Sequence, residues 1–189
     1  RGMAEAEAGM RAVCARIGNV MFLQKQCVTI GDVMFAGCTL WTAPGDEADS
    51  TSINDYNNVR GFYAERRPIT VPEVRALHAD HLAWLRSTMA RVPRAVRRVV
   101  VITHHCPTPE LARMTRSGRA HPDVVPFYFA EDVEPRLLQD PLLAVWCHGH
   151  THESYAVRLP GRGPQLFATN AAGYSFEDTG YDPKSVVTL

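Results

Sequence analysis

The chain has 189 residues, 46% hydrophobic and 21% charged, enough to bury one sizeable core, and residues 1–189 read as a single domain. Twenty basic side chains balance twenty acidic ones, so no overall field draws the chain to nucleic acid or to an anionic membrane surface, and any recognition of phosphate must be local. Five cysteines without a CxxC pair, no apolar run near the roughly 20 residues that span a bilayer, and no signal-peptide core predict a reducing, cytoplasmic setting.

The opening Arg-Gly runs straight into helix-forming sequence, as a chain cut inside a domain would. Ala4 to Ile17 carries Met10, Val13, Cys14 and Ile17 at helical spacing, with Gly18 as its stop. CVTIGDVMFAGCTLW holds two β-rich runs hinged at Ile30, Gly31 and Asp32, a hairpin signal. TAPGDEADSTSINDYNNVRG is rich in Asp, Asn, Ser and Gly and predicts a long exposed loop. Thr70 then caps a helix with Pro72 and Glu73 in its first turn, and Val74, Leu77, His81, Leu82 and Leu85 share one face up to about Ala90.

The run Val99 to Ile102 is a continuous apolar strand that stops in THHCP, and Leu142 to Trp146 repeats the design before HGHTHES. AEDVEPRLLQD between them predicts a short helix, with Asp123, Glu131 and Asp132 as capping or surface charges. ESYAVRLP and PQLFATNAAG, joined by PGRGP, form a second hairpin, and SVVTL reads as a last strand.

Of the eight histidines, His104, His105, His148, His150 and His152 fall just after the two apolar strands. Neutral imidazole is a common ligand for borderline metals, and strand ends let a sheet aim several side chains at one point. If the segment is extended, His150 and His152, two apart, point the same way, and Gly149 allows a sharp turn. His78, His81 and His121, taken singly, read as hydrogen-bonded core or surface side chains. The short basic run Arg91 to Arg98 reads as a solvated connector.

The order strand, THHCP, short helix, strand, HGHTHES resembles the last two motifs of calcineurin-like metallophosphoesterases, and VTIGDVMFAGCTLWT, INDYNNVR and TNAAGY resemble the matching stretches of bacterial-type members. The resemblance implies a four-layer α/β/β/α sandwich and hydrolysis of phosphate mono- or diesters. It implies His104 and His150 as ligands of one metal and His152 as a ligand of the other. Either member of the THH pair could be the ligand; His104 is favoured because the family's ligand stands just before a short x-Pro step. His105 and His148 are then supporting or phosphate-facing catalytic groups. Asn54, Asp55 and Tyr56 are candidates to line the substrate site and Asn170 to Tyr174 to border it, both against the plain reading of a solvated turn.

The family's first three motifs, Asp-x-His, Gly-Asp and Gly-Asn-His, do not occur in order. GDEAD at Gly45 to Asp49 and GN at Gly18 and Asn19 are look-alikes in the wrong order. The expectation is a chain starting just after Gly-Asn-His, with the rest of the site in a missing N-terminal segment. An intact enzyme of this kind holds two divalent ions, Mn, Fe or Zn, about 3.5 to 4 Å apart; this chain alone would hold one. The competing reading is a truncated or degenerate remnant, or an interaction module, binding at most one metal. Amidohydrolase and metallo-β-lactamase readings of the His-x-His pair expect it early in the domain.

Overall fold

The computed structural model describes residues 2–46, 48, 50, 53–59, 67–115, 122–161 and 163–189. The first hairpin forms as expected: β1 (Gln26–Ile30) pairs antiparallel with β2 (Val33–Cys38). Gly31, at φ +63°, takes the first central position of the two-residue turn, where a left-handed backbone matches the strand twist.

Both histidine-bearing strands also form, β3 (Arg98–Thr103) and β4 (Leu143–Cys147). The second hairpin follows, β5 (Ser154–Arg158) antiparallel to β6 (Leu166–Asn170). Strands β2, β3, β4 and β6 run parallel, giving one six-stranded sheet in the order β1-β2-β3-β4-β6-β5. Because they are parallel, the ends of β3 and β4 that carry THH and HGHTH lie at the same edge. The mixed α/β architecture is the expected fold class.

Three helices accompany the sheet among the described residues, with several single turns. The first, α1 (Met3–Cys14), ends earlier than its apolar spacing suggested, because Arg16 and Ile17 N–H bond back to Val13 and Cys14 in tight three-residue steps. No residue of α1 is buried, and a cavity of about 530 Å³ separates its Met3, Ala6 and Met10 from Ile102, Cys147 and His148. The crossover from β2 to β3 is made by α3 (Val71–Met89), whose first turn is a capping box: the Glu73 carboxylate accepts the Thr70 backbone N–H at 2.9 Å and its hydroxyl at 2.8 Å. Leu82, Leu85 and Met89 of α3 pack on Val99, Val101, Trp146 and Phe167 in the main core.

The stretch expected to be an exposed loop carries α2 (Asn54–Asn58) and a second small core. Ile53 and Tyr56 are buried there with Trp41, Ile69, Val74 and Phe127, and Tyr56 meets Phe127 edge-on at 5.4 Å. Two apolar anchors were enough to pull a polar stretch onto the body, which overturns the solvated-turn reading. The helix expected in AEDVEPRLLQD is a single turn, Pro135–Leu138.

The last predicted strand does not form. Asp182 instead bonds Asn170 through both backbone groups, at 2.8 and 3.0 Å, and its carboxylate and carbonyl accept the Lys184 and Ser185 N–H. That turn diverts the chain before Ser185 to Leu189 can reach a sheet edge, and Val186 is left 85% exposed.

His78 and His81 behave as core side chains. His78 bonds the Leu40 carbonyl through Nδ1 at 2.9 Å and Asp132 through Nε2 at 2.6 Å. His81 is buried, its Nδ1 has no partner, and burial pulls its pKa from 6.5 to about 4. A histidine depressed in the folded state stabilises fully above the unfolded value, and that contribution is lost as pH falls from 6.5 through about 4. The loss expected from His81 alone is about 3 kcal/mol. Urea titrations across that interval should show a shallower decline for His81→Leu; equal slopes would remove His81 as a source. His121 and Asp49 lie outside the described residues.

Candidate metal centre

The two strand ends are tied together before any ligand is considered. His104 and His105 N–H both reach the Thr39 carbonyl, at 3.2 Å, just beyond β2. Gly149 N–H bonds the His104 carbonyl at 2.9 Å, and His148 N–H bonds Ala168 on β6 at 2.9 Å. Beneath them, the Trp146 indole donates to the Thr103 hydroxyl at 2.9 Å, which donates in turn to the His105 carbonyl at 2.7 Å. The core side chain of one strand therefore supports the histidine pair of its neighbour.

The HGHTH segment is not extended. His150 and His152 hold φ of +64° and +50°, and the Thr151 N–H bonds the Gly149 carbonyl at 2.7 Å across His150, a left-handed three-residue turn. Such backbone costs about 1–3 kcal/mol per residue and persists where surroundings enforce it. The sharp bend expected of Gly149 thus falls on His150; a Cβ at Gly149 would rest at 3.5 Å on the His104 ring, an ordinary contact.

Around this turn lies a cavity of about 340 Å³, lined by Asn54, Asp55, His104, Tyr128, His150, His152, Tyr174 and Glu177 among others. His104 Nε2 and His150 Nδ1 face each other at 3.2 Å. The other nitrogen of His150 is buried, makes no hydrogen bond of ordinary length among the described residues, and stands 3.8 Å from Asp55 Oδ2, which is also 3.9 Å from His105 Nε2. Ligand atoms of Asp55, His105 and His150 all fall within 4.8 Å of one another. The His150 ring packs in tilted contact against both Tyr128 and His105, with centroids at 4.4 and 4.3 Å.

Electrostatics keep these rings neutral. Burial lowers His104, pushes His105 well below its ordinary value and takes His150 to about 3, with neighbouring imidazoles opposing a second charge. Burial raises Asp55, against the pull of His104 and His152. Neutral imidazoles and a desolvated carboxylate are nitrogen and oxygen donors suited to a divalent cation, and the close approach of Asp55, His105 and His150 fits one.

The remaining candidates lie elsewhere. His148 is buried, its Nδ1 on the Gly149 carbonyl at 3.1 Å and its Nε2 on the Tyr155 hydroxyl at 3.0 Å; it lines the cavity under α1. Tyr56 anchors α2, and Asn170 closes the turn at Asp182. Asp46 of the GDEAD look-alike is exposed and paired with Arg75. Sequence reasoning missed Tyr128 and Glu177; neither stands at a strand end or in a motif, and only the nearby glycine marks the turn that carries Glu177.

The strand-edge imidazoles, with the Asp55 carboxylate beside them, form a candidate metal-binding group. The chain belongs to the calcineurin-like phosphoesterase family, whose model matches residues 12–154. That family is one of metal-dependent phosphoester hydrolases. A relative, an uncharacterized protein of Acanthamoeba polyphaga mimivirus, is 23% identical over the whole of this chain and 67% of its own length.

Proposed function

We propose that the chain forms the metal centre of a phosphohydrolase acting on small phosphate mono- or diesters through two divalent ions, Mn, Fe or Zn, in the cytoplasm. His104 and His150 would hold one ion through their facing nitrogens and His152 would serve the other, with the Asp55 carboxylate 3.8 Å from the opposite nitrogen of His150. The observation that carries this reading is the convergence of Asp55 and His104 on the two nitrogens of His150. Bound divalent ions supply charge stabilisation at phosphoryl oxygens and a more acidic water. The lowered basicity of His104 and His150 leaves their lone pairs free without prior loss of a proton. His105 and Tyr128, both tilted against the His150 ring, restrain its orientation.

The purified chain, loaded with Mn²⁺, is expected to release nitrophenol from nitrophenyl phosphate mono- or diesters. Asp55→Ala should lower that rate by at least about 10- to 100-fold. A His104→Ala variant that loses Mn²⁺ while His105→Ala keeps it supports the cavity-facing set; the reverse moves the ion to Asp55, His105 and His150. No turnover with at most one ion bound favours the non-catalytic alternative.

A further inference from the structure

The turn after β6 is shaped around one carboxylate. Gly173 holds φ +68°, and a Cβ there would collide with Glu177 Oε2 and with Thr179 Cγ2, the latter at 2.6 Å, so this position excludes a side chain. Glu177 Oε2 accepts the Tyr174 N–H at 2.7 Å, and the Glu177 N–H bonds the Tyr174 carbonyl at 3.0 Å, which closes the turn with the carboxylate fixed. Tyr174 is pinned in turn, its hydroxyl accepting the Asn54 amide at 2.9 Å and its ring meeting His152 edge-on at 4.9 Å.

The oxygen that caps Tyr174 also stands 2.8 Å from His152 Nδ1. An ionised carboxylate can only accept, so Nδ1 carries the proton and a neutral ring keeps its lone pair on Nε2. We propose that Glu177 is a positioning residue that fixes His152 in the tautomer whose Nε2 is ready to bind a divalent ion. Carboxylates that hold metal-binding histidines in this way set ring orientation and raise ligand basicity. The inference rests on His152 being a metal ligand, and it adds the group that orients this part-exposed imidazole.

Two readouts test it. Long-range proton–nitrogen NMR of the metal-free chain at alkaline pH reports which His152 nitrogen carries the proton, and Mn²⁺ calorimetry reports affinity. Wild type and Glu177→Gln, whose amide oxygen still accepts, should both show the Nδ1–H form and bind Mn²⁺ within a few-fold of each other. Glu177→Ala should shift toward the Nε2–H form and bind Mn²⁺ about 10- to 100-fold more weakly. An unchanged tautomer or affinity in Glu177→Ala overturns the proposal. So does Glu177→Gln falling as far as Glu177→Ala, because that makes Glu177 a ligand itself. Wild-type affinity in His152→Ala would instead remove His152 from the metal centre, a failure of the underlying reading that the tautomer measurement keeps distinct.

Discussion

Replacing His150 with asparagine is expected to cost the chain its tightest metal interaction and its hydrolytic turnover while leaving the fold standing. Asparagine is chosen because it tolerates the left-handed backbone that His150 adopts at φ +64°, whereas alanine would keep the strain and lose the ring. The ring meets His104 through one nitrogen and approaches Asp55 through the other, so its removal takes away a donor that neither neighbour can replace. If the charge stabilisation lost is about 4 kcal/mol, turnover falls about a thousandfold. Calorimetry with Mn²⁺, turnover of a nitrophenyl phosphodiester and a urea titration together decide the matter. Wild-type turnover in a variant that has lost its metal would refute a metal-dependent reaction at this cluster.

Phe167→Ala carries the largest expected loss of stability. Its ring has no exposed surface, it lies opposite Trp146 on β4 and Val157 on β5, and it belongs to the main core. Truncating a buried phenylalanine costs about 3–5 kcal/mol through lost transfer energy and the cavity left behind. Against the roughly 5–15 kcal/mol that holds an ordinary domain folded, that is a large fraction. The next residue's carbonyl, on Ala168, receives the His148 N–H, so disturbance of β6 also reaches the start of the HGHTH turn. The urea midpoint should drop sharply with the slope unchanged; a loss under about 1 kcal/mol would mean that neighbouring side chains collapse into the space.

The strands and the long helix were readable because their signals are local and dense. Val99 to Ile102 and Leu142 to Trp146 announce buried strands by unbroken apolar content, and Thr70 with Glu73 announces a helix start by capping chemistry. The histidine edge followed from those strands and from the family resemblance. What stayed hidden depends on distant contacts. Nothing in INDYNN says that Ile53 and Tyr56 will sink into a pocket formed by Trp41, Val74 and Phe127 and so carry Asp55 to the histidines. SVVTL has strand composition, yet Asp182 and Asn170 form a competing turn just before it. The left-handed bend at His150 stayed hidden too, because no local spacing signals a positive φ at a histidine.

The hydrogen bond from Asn54 to Tyr174 joins residues 120 apart in the chain, and it closes the cavity that holds His104, His150 and His152. Contacts of that separation form late, because the loop entropy they cost is recovered only once the intervening parallel strands have paired. During synthesis the histidines leave the ribosome well before Tyr174 and Glu177 do, and until then they face water as unorganised ligands. Full-strength binding of an added ion would therefore report that this distant contact has formed.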